Sequence, residues 1–492
     1  MPPTSQPMAI EFAKYSEAIP EVIRTSLSRS RHQLAIIMQE LTIDQVDYSQ
    51  YDAIILGAGA GGLLTALALT GQGKKVLILE KAGRLGGVWH GYWIDGFRVD
   101  QGLHVITRVK RGAFTRFLRT HLDPVPEFVL HEGWFFRVND NVGTIPTSVG
   151  ETLRWPLTGV RGRLGLAKIG AKIKTMKLEE MKEYKDITFL EFMQSRGATN
   201  QVMLDVMQSA IYMAAGVPID RASAYESLRT LRDTDKESGK LESAKKLLFG
   251  SDEYDEGIVI GGMQHLVDRV SEAINGDYVL NAEVTKITEK DGALQGIMVG
   301  DYEIQHDTVI SNIPLWSMPQ IVESTRKETN EFFEKWGNML FTRGVTIWLG
   351  LDKVVIGDRK SRVIVHPRPE TWIISLSTFD PSCAPEGKEL IGVAAILPEG
   401  LTPQDVVKLV KENGLKKYHP EILEHIEMEH IQTSYATRAA LIPGQTDLDR
   451  PGPETPIKGL YIVGTDTAGA GVGLQQAANS AEGVMKVLGF EI

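Results

Sequence analysis

DAIILGAGAGGLLTALALTGQGKKVLILEKAGRLGG, residues 52–87, is the stretch of this chain that decides its fold. The apolar run at 53–56 predicts a buried strand, and the alanine- and leucine-rich run after it predicts a helix. A second apolar strand is predicted over 75–79. The stretch therefore predicts a strand–helix–strand unit of the kind that builds a parallel sheet.

The turn between the first strand and the helix has the G-x-G-x-x-G spacing at Gly57, Gly59 and Gly62. These glycines permit a tight turn, let the backbone approach a pyrophosphate, and let the helix pack closely on the strand. The start of the helix then offers free N–H groups to phosphates. Glu80, about 20 residues further on, lies where an acid accepts hydrogen bonds from a ribose. The unit therefore predicts a dinucleotide site.

The composition is that of a soluble globular protein, because 42% of the 492 residues are hydrophobic and 24% are charged. This length predicts two or three domains. The net charge of −10 argues against a general nucleic-acid binder. A single cysteine, Cys383, excludes an internal disulfide and a multi-cysteine metal site, so no metal is predicted. The start of the chain lacks a secretory pattern, and a cytoplasmic location is expected.

Strand, glycine-rich turn and helix recur in the middle and at the end of the chain, separated by two longer insertions. A nucleotide-binding domain assembled from discontinuous pieces explains this order better than domains in tandem. The predicted fold class is α/β: a discontinuous Rossmann-like domain, an inserted mixed α+β substrate domain, and a ligand cleft between them. The predicted nucleotide-binding domain comprises residues 50–110, 255–320 and 455–492, and the substrate-binding domain comprises residues 111–254 and 321–454.

Two amphipathic segments lie outside the nucleotide-binding motifs. Residues 1–49 are predicted to form a helical extension that docks on its own body or on a second copy. Residues 151–180 carry seven Lys or Arg residues between Arg154 and Lys177, alternating with apolar residues that include Trp155. Such a segment can lie on an anionic membrane surface, or it can be a solvated helix whose apolar side packs on the domain. A membrane-facing segment at 151–180 is therefore one of two predictions.

Two further glycine-rich motifs are predicted to contact the ligand. The R-x-G-G motif of Arg84, Gly86 and Gly87 lets the backbone pass close to a flat ring or a phosphate, and its arginine can neutralise a phosphate or pair with an acid. Near the end of the chain, a predicted strand over 460–463 leads through a glycine-rich turn to a helix from about Leu474. That helix points N–H groups at an electron-rich ligand such as a reduced flavin ring.

The order of these motifs resembles that of the phytoene-desaturase-like branch of the flavin amine oxidase superfamily. That branch includes carotenoid desaturases and isomerases, retinol saturase and related FAD oxidoreductases. The resemblance covers nearly everything from Tyr51 to Ile492. It is carried by GAGAGG (57–62), EKAGRLGG (80–87), GFRVDQGLH (96–104), GGM (261–263) with VTKI (284–287), and GLYIVGTDTAGAGVG (459–473).

The resemblance implies FAD bound without a covalent link, since covalent members use a cysteine near the end of the chain and this chain has none there. The nucleotide-binding domain is then an FAD-binding domain. The implied FAD-contacting residues are Gly57, Gly59, Gly61 and Gly62 at the pyrophosphate, Glu80 at the adenosine ribose, Val284 at the adenine side, Arg84, Gly86, Gly87, Val88 and Trp89 along the ribityl chain and ring, and Asp466, Gly473, Leu474 and Gln475 over the flavin. Lys81, Leu103, His104 and Gly464 are further implied cofactor contacts. The usual Gly-Asp of the last motif is one residue longer here, and Asp466 either bonds a ribityl hydroxyl or caps the turn.

Candidates for moving a proton near the ring are His104, His90 and Tyr92. His104 leads, because the matching D-x-G-x-H turn of relatives lies beside the flavin. The alternative is that His104 is merely structural. Arg98 is predicted to pair with an acid. The methionine-rich stretch at 190–231 suits either the wall of a site for a flexible apolar substrate or an ordinary core.

The leading hypothesis is an FAD oxidoreductase that desaturates, saturates or isomerises C=C bonds of an apolar, isoprenoid- or carotenoid-like substrate. No second dinucleotide fingerprint follows the first, so electrons would pass to a quinone, to oxygen or to a carrier protein, unless the flavin catalyses an isomerisation without net redox change. One alternative is a flavin amine oxidase on a soluble amine, which predicts an aromatic cage and a lysine near the ring. The other is a non-catalytic prenyl-lipid binding protein on the same fold.

Overall fold

Two sheets organise the fold of the protein in a computed structural model, which describes residues 38–144, 146, 148–198, 200–232 and 255–490. The strands, in chain order, are β1 (Gln39–Glu40), β2 (Ala53–Leu56), β3 (Val76–Leu79), β4 (Gly91–Ile94), β5 (Phe97–Asp100), β6 (Ile106–Thr107), β7 (Phe128–Leu130), β8 (Trp134–Val138), β9 (Asn141–Thr144), β10 (Glu256–Val259), β11 (Gly276–Val279), β12 (Val284–Lys290), β13 (Ala293–Val299), β14 (Tyr302–Ile304), β15 (Val309–Ser311), β16 (Val322–Glu323), β17 (Phe341–Leu351), β18 (Ser361–His366), β19 (Thr371–Ser375), β20 (Glu389–Ile396), β21 (Ile426–Ala439) and β22 (Leu460–Ile462).

The helices, also in chain order, are α1 (Ala60–Gly71), α2 (Ala113–His121), α3 (Val149–Arg154), α4 (Val160–Thr175), α5 (Leu178–Lys182), α6 (Phe189–Ser195), α7 (Gln201–Ala215), α8 (Ala224–Arg232), α9 (Gly262–Glu272), α10 (Lys327–Gly337), α11 (Pro403–Leu409), α12 (Lys416–Tyr418), α13 (Pro420–Glu424) and α14 (Leu474–Val487). A π-helical turn at Val410–Leu415 joins α11 to α12. Among the described residues, no helix combines the length and the apolar character that crossing a membrane requires.

The first sheet, here called the parallel sheet, has the strand order β1-β11-β3-β2-β15-β22, and each neighbouring pair is parallel. β2 and β3 are continuous apolar runs because both of their faces are covered. Helices α1, α2, α9 and α14 pack on one face, and β12, β13 and α10 pack on the other. The strands of this sheet come from the start, the middle and the end of the chain. Its parallel order places the ends of β2, β3, β15 and β22 at one edge.

The second sheet, here called the mixed sheet, has the strand order β21-β17-β20-β19-β18-β8-β9. Its neighbours are antiparallel except for β18 and β8, which run parallel. The apolar faces of four helices pack against one side of this sheet; these helices are α4, α6, α7 and α8. Helix α11 and the π-helical turn cover the other side. The two insertions of the chain therefore supply a second layered unit.

The α/β class and the discontinuous origin of the parallel sheet agree with the sequence prediction. β2 begins and ends where the pattern placed it, β3 starts one residue later than predicted, and β22 ends one residue earlier. The stretch at 91–136 is strand-rich, as expected, but α2 interrupts it. The boundaries between an FAD-binding and a substrate-binding domain stay predictions.

The described part of the predicted N-terminal helical extension forms a short strand followed by two 3-10 helices, Ile43–Gln45 and Tyr48–Gln50, and not a continuous α-helix. Residues 1–37 lie outside the described residues, and the chain after them forms β1. β1 pairs with β11 at the edge of the parallel sheet, and the N–H of Leu41 donates to the Tyr278 carbonyl at 2.9 Å. The exposed edge of a sheet offers backbone partners to any nearby extended segment, which explains the difference.

Candidate active site

A cavity of about 940 Å³ lies between the carboxyl edge of the parallel sheet and the mixed sheet. On one side it is lined by the residues that follow β2, β3, β15 and β22, which is where open parallel sheets bind ligands. On the other side it is lined by residues of β17, β19 and β20 and by the end of α7. The predicted cleft is therefore present, and both sheets contribute to it.

A glycine cradle, Gly57, Gly59 and Gly61, forms the floor of the cavity beneath the start of α1. A Cβ at Gly59 or at Gly61 would lie 2.6 Å from the side chain of Asn312. Gly57 has a φ of +92°, a backbone conformation that favours glycine. The cradle therefore leaves the start of α1 open to an anionic ligand.

Gly62 does not line the cavity. A Cβ at this position would lie 2.1 Å from the Gly57 carbonyl oxygen, so Gly62 permits α1 to pack on the end of β2. This corrects the prediction that Gly62 contacts the cofactor, and it agrees with the packing role that the motif assigns to the third glycine.

Glu80 is buried at the end of β3 and lines the cavity together with Lys81. One carboxylate oxygen accepts from the Ala58 N–H at 2.7 Å, and the other accepts from the Ala82 N–H at 2.8 Å. Each carboxylate oxygen has two lone-pair directions, so the carboxylate keeps acceptor capacity for ribose hydroxyls. Val284, at the start of β12, lines the same cavity, and its contact with the adenine stays a prediction.

The R-x-G-G motif divides into lining and supporting residues. Gly87, Val88 and Trp89 line the cavity. Arg84 and Gly86 do not: the Arg84 guanidinium donates to the Gly87 carbonyl at 2.9 Å, and a Cβ at Gly86 would lie 2.9 Å from a methyl group of Val267. Arg84 and Gly86 therefore support the turn from which Gly87, Val88 and Trp89 line the cavity. The prediction that Arg84 and Gly86 contact the cofactor is corrected.

Gly464, Asp466, Gly473, Leu474 and Gln475 all line the cavity, and their contact with the flavin stays a prediction. Asp466 accepts from the Leu315 N–H at 2.5 Å, and burial raises the pKa of its carboxyl to about 6.

The side chain of Gln475 ties the start of α14 to the chain around α2. Its Oε1 accepts from the Phe114 N–H at 3.0 Å, and its Nε2 donates to the Thr107 carbonyl at 2.6 Å. The Gln475 amide is therefore committed to the fold. Its contact with a cofactor would be made by the remaining atoms of the residue.

Of the three candidates for moving a proton, His104 lines the cavity and the other two do not. The imidazole of His104 has a hydrogen bond with the Gly102 backbone that raises its pKa, but burial is the larger effect and lowers the pKa to about 4. His90 Nδ1 lies 2.9 Å from the Gly87 carbonyl, and the Tyr92 hydroxyl lies 2.9 Å from Nε2 of His430. His90 and Tyr92 therefore belong to a polar cluster outside the cavity.

Three further sequence expectations concern residues near the site. Arg98 pairs with Asp380 at 2.5 Å, as predicted. Met213 lines the cavity, whereas the other methionines of the 190–231 stretch, which are Met193, Met203 and Met207, lie in the core. Cys383 is buried in another apolar cluster, and burial raises the pKa of its thiol to about 12. The sole cysteine is therefore not placed to bind a cofactor covalently.

Several cavity residues were not predicted, and Asn312 is the most central. With its amide oriented so that Nδ2 donates to the Val463 carbonyl at 3.2 Å, Oδ1 accepts from the Gly59 N–H at 3.3 Å. Its position directly after the buried strand β15 was a usable signal, because residues at the ends of parallel strands meet at one edge. Other unpredicted lining residues, which are discussed below, include Trp316, Arg343, Trp372 and Arg438.

The sequence matches the family described as flavin containing amine oxidoreductase over residues 60–484, which is most of the chain. The chain belongs to this family. As a member it is a flavin oxidoreductase enzyme, and the predicted resemblance is confirmed. The cradle, Glu80 and the C-terminal motif are the features of its cavity that fit a dinucleotide form of flavin.

Relatives of this flavin oxidoreductase include prolycopene isomerase 2 of an Oncidium hybrid, which is 24% identical over 90% of this chain and 85% of the isomerase. The rat all-trans-retinol 13,14-reductase is 35% identical over 92 residues, which are 19% of this chain and 14% of the reductase. Among solved structures, an oxidoreductase from Methanosarcina mazei has a TM-score of 0.68 at 21% identity and covers 88% of this chain and 99% of its own. This last likeness shows the shared fold.

Proposed function

We propose that this chain binds FAD non-covalently and desaturates, saturates or isomerises C=C bonds of an apolar, isoprenoid-like substrate. The observation that carries the proposal is the continuity of the cavity, in which the glycine cradle and the mixed sheet line the same space. A cofactor on the cradle and an apolar substrate on the sheet would then lie next to each other. The likeness to a prolycopene isomerase over most of both chains supports the same substrate class.

The cofactor side of the cavity fits FAD in its shape and its donors. The start of α1 would hold the pyrophosphate above Gly59, and the carboxylate of Glu80 would accept from the adenosine ribose. Trp89 and Leu474 would exclude water from the flavin end. Bound FAD would supply the site that accepts or returns an electron pair. The neutral imidazole of His104, which lines the cavity, would exchange a proton with a substrate there.

An apolar wall formed by residues of β17, β19 and β20 lines the mixed-sheet side of the cavity, together with polar residues of the same sheet such as Thr342 and Thr346. The described residues there include Val345, Trp372 and the alanine pair of β20, and Met213 closes the end of α7. Pockets lined mainly by hydrophobic and aromatic side chains bind ligands of matching chemistry. This wall supports an apolar substrate.

A flavin amine oxidase is the alternative, and the charges of the cavity weigh against it. Among the described lining residues, the lysine is Lys81, which lies beside Glu80 on the cofactor side. The carboxylates of that lining, those of Glu80, Glu283 and Asp466, also follow strands of the parallel sheet or precede β12. A protonated amine would therefore meet no acid on the mixed-sheet side.

The test begins with an absorption spectrum of the purified protein before and after heat release of its ligand. We expect a flavin spectrum whose colour leaves with the supernatant, and a released compound with the mass of FAD. The holoenzyme is then incubated with polyene lipids and, separately, with amines, in air and anaerobically with a quinone. Turnover of a polyene supports the proposal and identifies the electron acceptor. Turnover of amines alone would overturn the substrate class.

The variant His104→Gln tests the proton role in the same assay. We expect it to retain FAD and to lower turnover by about 10²-fold or more, which is typical of a lost general acid or base. His425→Gln is the matched control, because His425 pairs with Asp352 away from the cavity. Equal turnover in both variants would exclude the role of His104.

A further inference from the structure

Two arginines, Arg343 and Arg438, line the mixed-sheet side of the cavity. They lie on the neighbouring antiparallel strands β17 and β21, and Ser434 of β21 lines the cavity beside them. The three residues are here called the arginine end. The apolar wall described above is formed by residues of β17, β19 and β20 that line the same cavity.

Arg438 is held in a fixed position at the end of α7. Its guanidinium donates to the carbonyls of Met213, at 2.6 Å, and of Ala214. A guanidinium carries five N–H donors in a rigid fork, so the bonds to α7 leave donors for the cavity that Arg438 lines.

Within the part of the chain that the structure describes, the guanidinium of Arg438 bonds to backbone carbonyls and forms no ion pair with a carboxylate. Burial lowers the pKa of its guanidinium to about 10, and the nearby positive charge of Arg450 acts in the same direction. The carboxylates among the described lining residues are on the cofactor side, as stated above. An enclosed cation without an anionic partner is unfavourable, and an anion that enters the cavity would relieve this cost.

We propose that the substrate carries an anionic end group, a carboxylate or a phosphate, which the arginine end binds while the apolar chain of the substrate lies on the mixed sheet. This inference rests on the function proposed above and deepens it. The substrate is then an amphiphile with a fixed direction in the cavity. Guanidinium groups suit this task because they bind both anions in a bidentate geometry.

The experiment compares three ligands of equal chain length on the FAD-loaded enzyme: a polyene carboxylic acid, the corresponding alcohol, and the phosphate ester of that alcohol. Binding is read by quenching of tryptophan fluorescence, since Trp316 and Trp372 line the cavity. We expect the acid or the phosphate to bind about tenfold more tightly than the alcohol at low ionic strength, and the difference to shrink in high salt. Whichever anion binds more tightly identifies the source of the charge.

Substitutions then assign the preference to the arginine end. Arg343→Gln and Arg438→Gln are expected to reduce the preference for the anion to about twofold or less. Arg438→Lys keeps a positive charge and is expected to retain part of the preference for the anion. This variant separates loss of charge from loss of the α7 contacts. Arg269→Gln, which removes an arginine paired with Glu272 on α9, is the matched control and should keep the full preference.

Two outcomes would overturn the inference, and they are distinguishable from failure of the proposed function. Equal binding of acid, phosphate and alcohol to the unaltered enzyme would exclude anion recognition while leaving the apolar substrate in place. A preference that survives both glutamine variants would exclude the arginine end as its cause. Binding of none of the three ligands by an FAD-loaded enzyme would contradict the proposed substrate class itself.

Discussion

Gly59 and Gly62 belong to one motif but meet different neighbours, and this difference predicts different effects of alanine. In Gly59→Ala the new Cβ would meet the end of the Asn312 side chain, which can move, so the fold should persist. The methyl group would also enter the cradle, and we expect the Kd for FAD to rise about tenfold, or about 1.4 kcal/mol. FAD titration by fluorescence measures this change.

Gly62→Ala should act on stability instead. Its Cβ would lie 2.1 Å from the backbone oxygen of Gly57, so α1 and β2 would have to separate. We expect a loss of about 1–3 kcal/mol in the free energy of unfolding, the usual cost of overpacking. Urea denaturation of the FAD-free forms measures it. Equal stability losses in the two variants would contradict the separate roles of the two glycines.

His104 carries a prediction about pH. Burial lowers the pKa of its imidazole to about 4, below the ordinary value of 6.5. Between these values the unfolded chain takes up a proton that the folded protein does not, so the stabilising effect of the neutral imidazole is present above pH 6.5 and is lost as the pH falls towards 4. In His104→Gln, the loss of unfolding free energy that this imidazole causes as the pH falls, up to about 3 kcal/mol, should disappear. Denaturation curves at several pH values test the loss, and an imidazole NMR titration with a midpoint near 6.5 would contradict it.

The site residues that were predicted from the sequence are marked by local spacing, whereas the residues that were missed depend on strand pairing between distant segments. The cradle and Glu80 follow strands within one short stretch, so spacing alone placed them at one ligand. Arg343 and Arg438 lie in long strands of ordinary composition. Their side of the cavity depends on the pairing of β17 with β21, and no local pattern specifies that pairing.

At the scale of elements, α4 lies in the segment at 151–180 that was predicted to face a membrane surface, and this remains a prediction. Trp155, which was expected at a membrane interface, is buried and donates to the Thr144 carbonyl at 2.7 Å, so that part of the prediction was wrong. Leu153, Val160 and Leu164 are nevertheless 45%, 68% and 56% exposed beside the basic residues of the segment. Exposed apolar side chains among Lys and Arg residues are typical of interfacial helices.

This surface gives a prediction for lipid vesicles. We expect the protein to sediment with vesicles that contain anionic lipid and not with neutral ones. The double variant Val160→Glu/Leu164→Glu should abolish the binding, because it replaces apolar contact with negative charge. Val354→Glu changes an exposed apolar residue of the mixed-sheet unit and should bind as the unaltered protein does. Unchanged binding of the double variant would identify α4 as an ordinary solvated helix.

Elements also show where local patterns end. β2 has the bounds that the sequence predicted, α14 begins at the predicted Leu474, and α1 follows the glycine turn as expected. β1 has only two residues and exists because β11, more than 200 residues away, offers its backbone. Such a strand has no pattern of its own, so a sequence without its partner cannot show it.

At the scale of the whole molecule, the cavity is formed by contacts between distant segments. Its cofactor side joins the ends of β2, β15 and β22, and its other side joins the insertions. The recurrence of nucleotide-type segments predicted the first assembly, because parallel strands must share an edge. The mixed sheet faces the carboxyl edge of the parallel sheet because of side-chain packing between distant segments. Composition and periodicity do not encode that packing.

That arrangement predicts that FAD stabilises the two sheets together. A ligand held between the cradle and the mixed sheet binds the folded protein and not the unfolded chain, so at 100 times its Kd it should add about 2.7 kcal/mol to the free energy of unfolding. Urea denaturation followed by far-ultraviolet circular dichroism, at several FAD concentrations, measures this increase. In Glu80→Gln the new amide group would face the N–H of Ala58 or of Ala82, so the same FAD concentrations should stabilise the variant less. An unfolding midpoint that does not respond to FAD in the unaltered protein would show that the folded protein does not bind FAD. Equal responses in both proteins would remove Glu80 from the site.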